Sequence, residues 1–122
     1  MNFLQPTLLA LFDVSYLTVQ NIAVKFTGGS SVGGDNISHF ALRGCEISWA
    51  GGACVENTAR WKRNPLECLR YGDAVDICEW AANVEISDNR VWECYDTGMT
   101  NQGSRFNYTV QNLSYHHNVI GQ

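Results

Sequence analysis

Arg70-Tyr71-Gly72-Asp73-Ala74-Val75-Asp76-Ile77 and Asn83-Val84-Glu85-Ile86-Ser87-Asp88-Asn89-Arg90-Val91 together spell three short strands separated by turns. Val75 and Ile77 share one face of the first strand. Seven residues past Ile77, Val84 and Ile86 share one face of the second. Asn89 marks a turn and Val91 opens the third strand. Eight positions after Val91 comes the next inward residue, Met99. Alternation of period two in runs this short belongs to half-buried strands, not helices.

The same steps recur outward from this segment. Leu17 and Val19 match Val84 and Ile86, with Ile22 at the turn and Val24 after it. Phe40, Leu42, Cys45 and Ile47 repeat the pattern, as do Leu113, Tyr115, Asn118 and Ile120. The residues that open each unit, Leu9, Val32, Val55, Val75 and Met99, lie 23, 23, 20 and 24 residues apart. A repeat of that length with strand alternation predicts stacked rungs. One such strand cannot bury its apolar face alone, so each rung depends on its neighbours, about 4.8 Å away. Asn89 and Asn118 fall at equivalent turns. They either form an amide ladder from rung to rung or tolerate the left-handed backbone of a tight turn.

These motifs resemble the right-handed parallel β-helix, or pectate-lyase-like, superfamily. Gln5-Pro6-Thr7-Leu8-Leu9 through Asn21-Ile22-Ala23-Val24 is similar to a unit of the same kind. The resemblance covers roughly residues 7 to 120 and implies an all-β solenoid of about five coils over residues 1–122. It implies a polysaccharide-processing protein, a lyase or glycoside hydrolase on glycan with or without uronate, located outside the cell or at its envelope. The alternative is a non-catalytic segment of an adhesin or tailspike-like kind that only binds. The resemblance is specific for fold and poor at separating activities. The polygalacturonase pattern needs Asn-Thr-Asp and Asp-Asp, and this sequence has neither.

A net charge of −4 without a basic stripe argues against nucleic acid as partner. No apolar run approaches the length of a membrane span. Met1–Leu11 is apolar rather than a polar cap, and the last residues stop in mid-unit. That predicts a partial or uncapped solenoid, continued by further coils or associated end to end. Of five cysteines, Cys45 and Cys68 fall at inward positions, and Cys54, Cys78 and Cys94 near turns or outward. Asn36-Ile37-Ser38, Asn107-Tyr108-Thr109 and Asn112-Leu113-Ser114 match the glycosylation acceptor pattern.

Stacking converts sequence position into neighbourhood. If Val55, Val75 and Met99 point inward, then Glu56, Asp76 and Thr100 point outward from adjacent rungs. Glu56 and Asp76 would be paired carboxylates at one strand spacing. That separation suits the nucleophile and acid of a retaining glycosidase, with one proton affinity raised by the other charge. The same pair could hold Ca²⁺, or simply face water. Glu79 follows its strand and would line the opposite edge. The irregular segment 56–72 carries Arg60, Trp61, Lys62, Arg63, Arg70 and Tyr71, including four of eight basic residues. An indole to stack on a sugar and cations to hold uronate carboxylates would make it a saccharide platform; its bland account is a solvated loop. His116-His117 reads as a turn-edge pair rather than a metal site, since no third ligand is near.

Overall fold

In a computed structural model, the structure describes residues 7–51, 73–78, 80–95, 97–102 and 110–121. Among these residues every regular element is a strand: β1 (Leu9–Gln20), β2 (Ala23–Thr27), β3 (Val32–Arg43), β4 (Glu46–Ala50), β5 (Val75–Cys78), β6 (Ala81–Ser87), β7 (Arg90–Cys94), β8 (Met99–Gln102), β9 (Val110–His116) and β10 (Val119–Gly121). Each strand pairing is parallel. The chain passes back and forth between two sheets, with β5 and β6, and β8 and β9, as successive strands of the first. The first runs β8-β5-β3-β6-β9, with β1 on the other edge of β3, and the second runs β10-β7-β4-β2.

The register confirms the columns that period-two reading assigned. Leu17, Phe40, Val84 and Leu113 lie side by side, as do Val19, Leu42, Ile86 and Tyr115. Val24, Ile47, Val91 and Ile120 form the matching column of the second sheet. All of these except Ile120, which is exposed on the edge strand β10, join one core, with Phe40, Leu42, Ile47, Ile77, Ile86 and Val91 almost wholly buried. Burial of like side chains in columns is what no single rung could achieve.

One unit of the expected repeat is absent from this stack. Val32 pairs directly with Val75, and Val75 with Met99. Ser31 N donates to Asp73 O at 3.0 Å and Val32 N to Ala74 O at 2.9 Å, so no strand lies between β3 and β5. The described rungs therefore open at Leu9, Val32, Val75 and Met99, four against the five expected, with Val75 and not Val55 paired to Val32. After Val55 only Leu66 and Cys68 match the second-strand pattern that Val84 and Ile86 supply. Val55 itself, with segment 56–72, lies outside the described residues.

The bend between the sheets is made by two residues per rung. Asn21, Gly44, Asp88 and His117 all have φ between 53° and 60°, the left-handed region that Asn, Asp and Gly occupy most readily. Asn89 and Asn118 come one position later, so they are not the left-handed residues. They form the amide ladder instead. Asn89 is fully buried. Its Oδ1 accepts from Cys45 N at 2.8 Å, and its Nδ2 donates to Leu42 O at 3.0 Å and to Asn118 Oδ1 at 3.0 Å. Asn118 Oδ1 also accepts from Asn89 N, and Asn118 Nδ2 donates to Ile86 O at 2.7 Å. The amide thus satisfies backbone groups left over where the strands break.

Asn89→Ala should strip partners from the buried Cys45 N–H and the Leu42 carbonyl. We expect a loss of about 2–4 kcal/mol, read as a lower urea midpoint at unchanged m. Asn118→Ala, in a less buried place, should cost less. Equal midpoints for wild type and Asn89→Ala would contradict the ladder's structural role.

Candidate functional site

Asp76 is half-buried on β5. Its neighbours across the sheet are Gly33 and Thr100, neither of which carries a carboxylate. The pairing expected between Glu56 and Asp76 was built on Val55 standing beside Val75, where the register has Val32. Glu56, Arg60, Trp61, Lys62, Arg63, Arg70, Tyr71 and Glu79 lie outside the described residues. The Ca²⁺ alternative rested on the same carboxylate pair, one member of which, Glu56, is outside the described residues. Among the described residues no group of three His, Cys, Asp or Glu side chains gathers as a metal site would require.

Asp73 opens the rung that β5 continues. It is buried, and Thr97 N donates to its Oδ1 at 2.9 Å. It ties the start of one rung to the next.

Charge gathers on the outer side of β3, β6 and β9. Arg43 grips Glu85 with Nε at 3.1 Å and Nη2 at 2.5 Å, Ser87 Oγ donates to the same carboxylate at 2.9 Å, and His116 Nε2 lies 3.4 Å from it. The Arg43 hydrogen bonds, then the Ser87 hydroxyl, hold the Glu85 carboxyl down at about 2. The cluster is solvent-facing, so it fixes side chains more than it stabilises the fold. His116 and His117 face each other with Nδ1 atoms 2.9 Å apart. Beside them runs an exposed column at positive φ: Tyr16 stacks on His39 at 4.5 Å, His39 meets Asn83, and Asn112 Nδ2 donates to Asn83 Oδ1 at 2.7 Å. Asn36 Nδ2 bonds Asp13 Oδ1 at 2.6 Å, so two residues of the acceptor motifs, Asn36 and Asn112, serve the lattice of side chains between rungs.

The second sheet presents a different surface. Phe26 and Trp49 sit at matching positions, between the pairs Lys25–Ser48 and Thr27–Ala50. Both have positive φ, 60° and 59°. Alternation breaks there and two successive side chains point outward, as for Lys25 with Phe26. Their rings lie nearly parallel, 13° apart with centroids 6.1 Å distant, yet are 77% and 51% exposed. The next rung has Glu93 at this position, also at positive φ. The aromatic column stops, leaving a groove of about 500 Å³ along Phe26, Trp49, Gly51, Glu93, Cys94 and Tyr95. Trp92 lies one position earlier, with Lys25 Nζ 5.7 Å and Arg90 Cζ 5.9 Å from its ring. Lys25 also pairs with Glu46. Cys94, read earlier as a turn or outward residue, packs partly against the core. Burial first, then the charges of Asp73 and Glu93, push its thiol above the ordinary value of 9.0.

The sequence reading named Trp61 as the stacking aromatic and passed over Phe26 and Trp49. Their 23-residue spacing equals that of Leu9 and Val32 and was available as a signal. It was hidden because strict alternation gives no notice of two adjacent outward residues. No family model, curated protein or solved structure matches this chain.

The Glu85 carboxyl is held below its usual 4.5, so its contribution is whole above that pH and is lost as pH falls through about 2. A carbon-detected NMR titration should find the Glu85 midpoint near 2, and Arg43→Gln should return it towards 4.5. An unchanged midpoint in Arg43→Gln would remove the assigned cause.

Proposed function

We propose that this chain is a stretch of right-handed parallel β-helix, exported to the cell surface or beyond, whose second sheet binds polysaccharide. Several features support the solenoid reading. The chain returns again and again to the same two parallel sheets at constant register, and parallel crossovers are right-handed in nearly all proteins. The observation that carries the binding reading is the exposed Phe26–Trp49 pair beside the groove. Exposed aromatic rings aligned along a rigid sheet are costly to leave bare in water. A pyranose offers what they lack: an apolar face of C–H groups to cover the ring and a rim of hydroxyls for nearby polar groups. Glu93 and the Tyr95 ring stand at that rim.

Binding stands ahead of cleavage by a lyase or glycoside hydrolase. General acid–base hydrolysis needs two carboxyl groups across one scissile bond. The register around Asp76 supplies Gly33 and Thr100 in the adjacent places. A flat face with scattered charges is what a binding segment needs. A rigid scaffold also removes ordering cost when a long, flexible glycan is laid on it.

Affinity electrophoresis through gels containing soluble plant and bacterial polysaccharides tests this reading. At least one glycan should retard the chain, and Trp49→Ala should weaken retardation tenfold or more while leaving the circular dichroism spectrum unchanged. The retarding glycan should also slow alkylation of Cys94, read on its own peptide by mass spectrometry. Retardation indifferent to Trp49→Ala would refute the groove as the site. Release of oligosaccharide that Asp76→Asn abolishes would instead make the protein an enzyme.

A further inference from the structure

Electrostatics narrows the class of glycan the groove accepts. Among the described residues lining it, Glu93 alone carries a charge. The nearest described cations are committed elsewhere: Lys25 pairs with Glu46, and Lys25 and Arg90 both lie over Trp92. The negative field reaches the groove itself, since Asp73 and Glu93 both act on the Cys94 thiol in the direction that disfavours its anion. A net charge of −4 adds a repulsive background for any polyanion.

We propose that the groove is selective for uncharged polysaccharide, of pentose or hexose units, and that Glu93 sets this selectivity in two ways. The inference rests on the polysaccharide reading above and sets aside the uronate-bearing glycan that the family resemblance includes. A neutral sugar stacked on Trp49 presents vicinal hydroxyls to the Glu93 carboxylate. That anion accepts hydrogen bonds from two hydroxyls at once, and charge-assisted bonds of this kind are the stronger sort. A uronate unit in the same place sets a second carboxylate against Glu93. Like charges at an exposed site repel with an energy that salt screens. One side chain therefore favours hydroxyls and opposes carboxylates. The carboxylate also cannot be replaced by its amide without losing both effects, since an amide offers one neutral acceptor in place of two charged ones.

The test uses the whole chain on two matched sets of polymers: xylan, galactomannan and mixed-linkage β-glucan, against polygalacturonate and alginate. Affinity electrophoresis at low and at moderate salt gives the ratio of dissociation constants. We expect neutral polymers to bind at least tenfold tighter than polyuronates, with the gap narrowing as salt rises. Glu93→Gln should weaken neutral binding several-fold and bring the ratio close to one. Glu93→Lys should favour polyuronate. Asp88→Asn is the control. It makes the same charge change as Glu93→Gln at an exposed turn away from the groove, and should leave the ratio where it was. Circular dichroism confirms that each variant is folded. Polyuronate binding as tight as neutral binding in the wild type overturns the inference and leaves the polysaccharide reading standing. So does a ratio that moves equally in Asp88→Asn and Glu93→Gln. Failure of every polymer to retard the wild type overturns both.

Discussion

The Asn89 carboxamide holds three rungs in one register. It accepts from the Cys45 amide and donates to the Leu42 carbonyl on one side, and donates to Asn118 on the other. The side chain is sealed from water, so no solvent molecule substitutes if a partner shifts. A slip of one residue would set inward side chains against outward ones in every adjacent strand. The amide bonds forbid that slip at the point where the two sheets meet. Core columns, outward ladders and the groove all inherit their alignment from this constraint.

Alignment of rungs also decides where exposed side chains meet. Positive-φ residues at equivalent places, such as Tyr16, His39, Asn83 and Asn112, or Phe26, Trp49 and Glu93, push side chains outward in columns. On the first sheet these columns are closed by stacking and amide bonds. On the second, the column passes from two aromatic rings to a carboxylate, and the change of chemistry opens the groove. The backbone device is the same in both sheets. What differs is whether successive side chains satisfy one another or leave a face for a ligand.

Glycine enters this scheme where neighbouring backbones come closest. A Cβ on Gly34 would collide with the backbone carbonyl of Leu11 in the neighbouring strand. That oxygen belongs to a main chain that cannot rotate away, so β1 and β3 come this near only because residue 34 has no side chain. Gly44 serves differently. It takes the left-handed turn that Asn21, Asp88 and His117 occupy in the other rungs, at φ 60°.

The sequence by itself determined the strands, their inward faces and nearly every column, because a side-chain period of two and a repeat near 23 residues are written in the order of apolar residues. The partners of Leu17, Val19 and Val24 in three further rungs were all legible in that way. Tertiary structure decided which repeats are consecutive. Val55 has the right spacing and chemistry for a rung, but only the hydrogen bonds from Ser31 and Val32 to Asp73 and Ala74 show that β3 and β5 are adjacent. It also decided that Phe26 and Trp49 share an exposed face, since left-handed backbone at both positions breaks the alternation that a one-dimensional pattern assumes. Local periodicity records which way a side chain faces; which residue stands opposite depends on pairing across the sheet, and that is a property of the folded chain.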